Sequence, residues 1–82
     1  MRMSETEIRK LYSRALNFGE SLMPRDCAAF IGKSRIKRYG IDECVRVIID
    51  LMERCNFYCD RAEATKAICN FFCGISAAEA LK

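Results

Sequence analysis

Residues 42–55 read DECVRVIIDLMERC and form the most apolar segment of the chain. At helical spacing, the charged residues of this segment gather into one narrow stripe, and the rest of the circumference is apolar. The apolar positions are Cys44, Val45, Val47, Ile48, Ile49, Leu51, Met52 and Cys55. A helix of this kind has to be surrounded by other elements rather than laid on a surface. We therefore predict a central helix at 42–55, with the other helices wound around it.

The length and composition of the chain indicate one small helical domain. Its 82 residues are 51% hydrophobic and 30% charged, which is typical of a globular protein with a single core. No stretch alternates apolar and polar residues as a half-buried strand does. We expect residues 1–82 to form one all-α domain, a compact bundle of four helices plus a short C-terminal helical stub.

Capping residues predict the bounds of the first two helices. Ser4 and Glu7 form a capping box in which the Glu7 side chain reaches back, and Gly19 can end the helix, so helix 1 is expected at 5–18. Asp26 is a candidate cap for helix 2, which falls within 27–38. Gly32 leaves it open whether helix 2 is one piece or two.

The second half of the chain contains similar signals. Asp42 is expected to cap helix 3 and to pair with Arg46, as Asp50 pairs with Arg54. Asp60 is expected to cap helix 4, which ends at Gly74. A further capping box, at 76–79, then opens the terminal stub that contains Leu81.

The residue types present exclude several catalytic sites. The chain has no histidine, which excludes a histidine-based triad and a mixed His/Cys zinc site. The run 32–34, Gly-Lys-Ser, matches only the tail of a phosphate-binding loop, because Cys27 occupies the position of the loop's first glycine. We expect no enzyme activity, no catalytic residue, no cofactor and no metal.

Charge and cysteine usage favour the cytoplasm. The N-terminus, MRMSETEIRK, lacks the apolar core of a signal peptide, and no run reaches the ~18 apolar residues of a membrane span. In a reducing compartment the six cysteines are expected to be free thiols that pack as small apolar residues. The net charge of +3 permits an acidic partner without requiring nucleic acid.

Two short patterns resemble known families. Cys55-x3-Cys59 and Cys69-x3-Cys73 form a twin CxxxC pattern that resembles the small Tim chaperones of the mitochondrial intermembrane space, which implies two cysteine pairs stapling a helical hairpin. The order of segments in 51–81 is similar to ubiquitin-associated domains. That resemblance implies three helices, with 55–57 as the loop that contacts ubiquitin.

The basic segment 33–39, KSRIKRY, is the strongest candidate for a working surface. Four of the six residues from 33 to 38 are basic, and an aromatic ring follows them. One interpretation is a solvated helix face, and the other is a surface that contacts phosphates or carboxylates, with Tyr39 available to stack. The predicted partner-binding or nucleic-acid-binding residues are Arg25, Lys33, Arg35, Lys37, Arg38, Tyr39 and Arg46.

These observations favour a small non-enzymatic binding or regulatory protein that docks on a larger protein or nucleoprotein. Phage- and plasmid-encoded inhibitors such as anti-CRISPR proteins resemble it in kind, although it matches no motif of such a family. The alternative is a nucleic-acid-binding protein that contacts phosphates through 33–39. A third interpretation is a homodimer, in which a second copy covers the apolar surface of 42–55.

Overall fold

The protein folds as an all-α bundle around the segment predicted to be central. The computed structural model describes residues 1–80, and the side chains of residues 1–72. Its helices are α1 (Glu5–Phe18), α2 (Pro24–Tyr39), α3 (Ile41–Arg54) and α4 (Arg61–Ala80). Helices α2 and α3 each contact the three other helices, whereas α1 makes no contact with α4 within the described residues. The predicted fold class and the central position of α3 are confirmed.

Helix α3 supplies the largest share of the core. Its buried side chains are Cys44, Val45, Val47, Ile48, Leu51 and Met52, and only Met52, at 3%, exceeds 1% exposure. Since α1, α2 and α4 already cover these residues, the apolar surface that suggested a homodimer lies inside a single chain.

Among the described helices, none combines the length and the apolarity needed to cross a membrane.

Helix α1 has the predicted bounds, but one part of its cap differs. The Glu7 amide donates to Ser4 Oγ at 3.2 Å, and Gly19, with φ of 63°, ends the helix before a 3-10 turn at Gly19–Ser21. The Glu7 side chain does not reach back to Ser4. It turns towards α2, where it accepts hydrogen bonds from two side chains described below.

Helix α2 starts earlier than predicted and is bent. Pro24 is its first residue, because the fixed φ of proline suits that position. Asp26, the third residue of the helix, caps it by accepting a hydrogen bond from the Met23 amide at 2.8 Å. Gly32 is non-helical, with φ of 80° and ψ of 160°, a conformation that a residue with a side chain rarely adopts. Helix 2 is therefore two straight segments that meet at Gly32.

Helices α3 and α4 each differ from their predicted bounds. Helix α3 begins at Ile41, after Gly40 with φ of 90°, so Asp42 lies inside its first turn rather than at the cap. Asp60 caps α4 as predicted, since the Glu63 amide donates to its Oδ1 at 2.8 Å. The backbone of α4 continues through Gly74 to Ala80, so the expected terminal stub is the last part of α4. Leu81 lies outside the described residues.

Candidate binding surface

Of the residues predicted to bind a partner, Tyr39 and Arg46 line one pocket, whereas Arg25 lines another, between α2 and α4. The segment 33–39 forms the second half of α2, Arg25 lies in the first turn of the same helix, and Arg46 lies on α3. Arg25 and the segment 33–39 also lie on opposite sides of the bend at Gly32. The structure therefore does not bring the predicted residues into one patch.

Arg35 and Tyr39 are held by an acidic residue of α1. Arg35 Nε donates to Glu7 Oε2 at 3.1 Å, and the Tyr39 hydroxyl donates to Glu7 Oε1 at 2.7 Å. The hydrogen bond from Tyr39, followed by that from Arg35, lowers the pKa of Glu7, and the same carboxylate raises the pKa of Tyr39. These contacts join α1 to α2 through the Tyr39 hydroxyl, and the stacking of the Tyr39 ring on a base stays a prediction.

Arg46 has an internal partner, although not the one expected. Its guanidinium donates twice to the Glu43 carboxylate, at 2.9 and 2.7 Å, and Glu43 also accepts from the Met3 amide at 2.7 Å. The Glu43 side chain is only 10% exposed. The hydrogen bonds of Arg46 lower the pKa of Glu43 to about 2. Glu43 therefore joins the N-terminal segment to α3, and Arg46 is its ion-pair partner.

The predicted ion pairs of α3 have mixed outcomes. The pair of Asp50 with Arg54 is confirmed at 3.3 Å, and Arg54 also reaches Glu5 of α1 at 2.8 Å. The predicted pair of Asp42 with Arg46 is wrong, because Asp42 Oδ1 instead lies 3.5 Å from the guanidinium of Arg61. Both arginines of α3 are consequently bound to carboxylates of the same chain.

Lys37 and Arg38 remain on the outer face of α2. Both are exposed, and neither forms an ion pair with any residue of the described part. The Arg38 guanidinium lies over the ring of Tyr39, 5.5 Å from its centroid. Lys33 is half-buried on the side of α2 that faces α4, with its ammonium 5.9 Å from the Phe72 ring.

Two cations of α1 extend this face, and the sequence analysis missed both. Glu7, Lys10 and Arg14 follow each other at i, i+3 and i+7, which places them on one edge of α1. That edge faces α2, because Glu7 contacts Tyr39 and the Arg14 guanidinium lies 5.0 Å from the centroid of the Phe30 ring. The i, i+3 and i+7 spacing can be read from the sequence. The sequence does not show that this edge of α1 packs against α2.

We give the name α1–α2 surface to four exposed cations, Lys10 and Arg14 of α1 with Lys37 and Arg38 of α2; Arg38 lies beside Tyr39, whereas Lys37, two residues from both Arg35 and Tyr39, is on the side of α2 away from Glu7. All four side chains are exposed, and none forms an ion pair in the part of the chain whose side chains are described. Such a surface can contact carboxylates or phosphates, because both accept hydrogen bonds from guanidinium and ammonium groups.

The five cysteines described by the structure are free thiols. Burial raises the pKa of Cys27 to about 12 and that of Cys44 to about 11, so both are protonated at neutral pH. Cys27 Sγ contacts Met52 Sδ at 3.8 Å within the core. Among the described residues, no group of three or more cysteine, aspartate or glutamate side chains could hold a metal ion.

The two family resemblances do not match the local structure. Cys55 follows the last residue of α3 and Cys59 lies in the loop before α4, so this CxxxC pair spans a helix end rather than one turn of a helix. The second pair includes Cys73, whose side chain is outside the described residues. The segment similar to ubiquitin-associated domains contains the end of α3 and a continuous α4 instead of three helices.

Comparisons with known proteins place no further constraint on this surface. No protein-family model, curated protein or solved structure matches the chain. The assignment of the α1–α2 surface as the candidate site therefore rests on its geometry and charge.

Proposed function

We propose that this protein is a non-enzymatic binding protein that docks its α1–α2 surface on an acidic face of a larger protein or nucleoprotein. The observation that carries the proposal is the contrast in ion pairing. The exposed cations of this surface have no carboxylate partner among the described residues, whereas both arginines of α3 do. Charges left without internal partners are suited to steering and orienting an oppositely charged partner.

The distribution of charge supports the same proposal. Helix α2 contains five basic residues and one acidic residue, whereas α3 contains two arginines and four acidic residues. Positive charge therefore predominates in α2 and negative charge in α3. A small chain that masks an acidic face of a larger protein would act as an inhibitor or adaptor, as anti-CRISPR proteins do in kind. A cytoplasmic setting belongs to this proposal, since the described cysteines are free thiols.

Direct nucleic-acid binding is the competing proposal. It draws on the same cations, but Arg35 is neutralised by Glu7 and Tyr39 donates to the same carboxylate. Four remaining cations that contact phosphates would give a log–log dependence of affinity on salt with a slope of about −3 to −4. An acidic protein face has no condensed layer of counterions, so a shallower dependence is expected for it.

Binding to two defined probes tests the proposal. Fluorescence anisotropy would compare labelled poly-glutamate with a labelled duplex of about 20 base pairs, over a range of salt concentrations. The surface variant carries Lys10→Gln, Arg14→Gln, Lys37→Gln and Arg38→Gln. The control variant carries Arg9→Gln, Arg25→Gln, Arg61→Gln and Lys66→Gln, which removes the same charge from exposed cations elsewhere. Arg35 is kept in both, because it joins α2 to α1.

The proposal predicts that poly-glutamate binds the original protein and the control variant, and binds the surface variant at least about tenfold more weakly. Equal losses in the two variants would mean that net charge alone drives binding, and would contradict the proposal. Tighter binding to the duplex, with the steep salt dependence, would replace it with the nucleic-acid alternative.

A further inference from the structure

We infer that the α1–α2 surface takes an acidic α-helix of the partner, with carboxylates repeating at successive turns along one face. This inference rests on the proposed function, because it specifies which acidic element docks there. It is carried by how Arg14 and Arg38 are held and by the two turns of α1 that separate the Glu7–Tyr39 contact from the Arg14–Phe30 contact.

Both arginines have their guanidinium groups placed over aromatic rings. The Arg14 guanidinium is 5.0 Å from the Phe30 centroid, and that of Arg38 is 5.5 Å from the Tyr39 centroid. An arginine that stacks on a ring keeps its N–H edge available, and that edge matches a carboxylate in bidentate geometry. The two side chains are therefore oriented before a partner arrives, which lowers the entropy lost on binding.

The supporting rings are themselves fixed. Phe30 is 8% exposed and packs edge-on against Phe18, with ring centroids 5.1 Å apart. Tyr39 is held through its hydroxyl, which donates to Glu7 at 2.7 Å. The internal contact of the Tyr39 hydroxyl thus makes its ring a rigid support for Arg38.

The spacing of the cations matches the repeat of an α-helix. Along α1, seven residues separate Glu7, which contacts the Tyr39 side chain, from Arg14, which lies over Phe30. This separation corresponds to about 10 Å, or two helical turns. Lys10 lies between them, one turn from Arg14. A helix with carboxylates at i, i+4 and i+7 presents its charges at the same intervals.

The charge density favours this helix over a nucleic-acid duplex. Lys10, Arg14 and Arg38, the neighbour of Tyr39, supply three positive charges beside the two turns of α1 between Glu7 and Arg14, as many as the carboxylates of the acidic helix over two turns. A duplex presents about six phosphate charges over the same length of axis. These three cations would neutralise the acidic helix and leave about half of those phosphates without a partner.

A pair of synthetic helices tests the inference. Both are alanine-based peptides of about fifteen residues, locked as helices by a side-chain staple because short helices are marginal in water. One has glutamates at i, i+4 and i+7, on one face, and the other has three glutamates at i, i+2 and i+5, spread around the helix. Anisotropy would measure the binding of each labelled peptide, of poly-glutamate and of the duplex.

We expect the one-face peptide to bind at least about tenfold more tightly than the spread peptide. Arg14→Gln and Arg38→Gln should each weaken it about fivefold, and Arg9→Gln should leave it unchanged. Tyr39→Leu removes the ring beneath Arg38 and should weaken binding about threefold, whereas Tyr39→Phe keeps the ring and most of the affinity.

The outcomes separate the inference from the proposed function. Equal binding of the two peptides, with poly-glutamate still bound, would overturn the helix inference and leave the proposed function standing. If neither peptide binds and poly-glutamate does not bind either, both the helix inference and the proposed function are overturned. Tighter binding of the duplex than of the one-face peptide would assign the surface to phosphates instead.

Discussion

Helices α2 and α3 lie next to each other, separated in the chain only by Gly40, and they use their charged residues in opposite ways. In α3, Arg46 and Arg54 are bound to carboxylates of the chain. In the second half of α2, Lys37 and Arg38 are exposed and form no ion pair with any described residue. We therefore propose that stability and binding depend on different helices of one small domain.

The difference follows from how much of each helix is buried. In α3, the charged residues share a narrow stripe at which the N-terminal segment and α1 also lie, and pairing is favoured there. In the second half of α2, Ile36 is the one buried side chain, and Ser34, Lys37 and Arg38 are exposed. Changes in α3 should thus affect stability, and changes on the α1–α2 surface should affect binding.

The largest effect is expected from a cavity in α3. Leu51 is fully buried, so Leu51→Ala should lower the free energy of unfolding by about 3 kcal/mol, through lost burial and an unfilled cavity. Urea denaturation followed by circular dichroism would measure it, with Ile48→Val as a milder step of about 1 kcal/mol. The matched change on α2, Lys37→Ala, should stay within about 0.5 kcal/mol. If Lys37→Ala lowered the free energy of unfolding as much as Leu51→Ala does, the assignment of stability to α3 rather than to the second half of α2 would be wrong.

A smaller effect, with a defined pH dependence, is expected at Glu43. Its pKa is lowered from 4.5 to about 2, so its stabilisation is present in full above about pH 5 and is lost as the pH falls towards 2. Glu43→Gln should cost about 2 kcal/mol at pH 7 and flatten the decline in stability below pH 5. Glu53 is exposed on the same helix, so Glu53→Gln should keep the decline of the original protein. Identical pH profiles for Glu43→Gln and the original protein would contradict the role of the carboxylate.

The smallest of these stability effects concerns the bend of α2. Gly32 has φ of 80°, and although a Cβ there would meet no atom within 4 Å, an L-residue would be strained. Gly32→Ala should therefore cost about 1 kcal/mol, which calorimetry can detect as a lower Tm. A stabilised Gly32→Ala protein would mean that α2 prefers to be straight, and the placement of Lys37 and Arg38 would need revision.

Most of the fold could be predicted because its signals are local. Ser4 and Gly19 mark the ends of α1, and the apolar circumference of 42–55 identifies the central helix. The error at Gly74 has a physical cause, since a glycine inside a helix costs only about 1 kcal/mol and does not have to end it. The start of α2 was misplaced because Asp26 caps from the third helical position rather than from the cap itself.

The binding surface could be predicted only in part, because its partners are distant in the sequence. Lys37 and Arg38 were found from local charge, but Glu7, which is 28 residues from Arg35 and 32 from Tyr39, was read as a capping residue. Lys10 and Arg14 were missed, since one sequence does not tell which edge of α1 packs against α2. Charge runs predict where cations are, and the fold decides which of them have internal partners.

The most direct test of the separation between stability and binding is to measure both properties in the surface variant, in which Lys10, Arg14, Lys37 and Arg38 are changed to glutamine. We predict a free energy of unfolding within about 1 kcal/mol of the original protein, together with about 30-fold weaker binding to poly-glutamate. The control variant with Arg9, Arg25, Arg61 and Lys66 changed to glutamine should keep both properties. Unchanged binding in the surface variant, or an equal loss in the control variant, would contradict the assignment of binding to the α1–α2 surface.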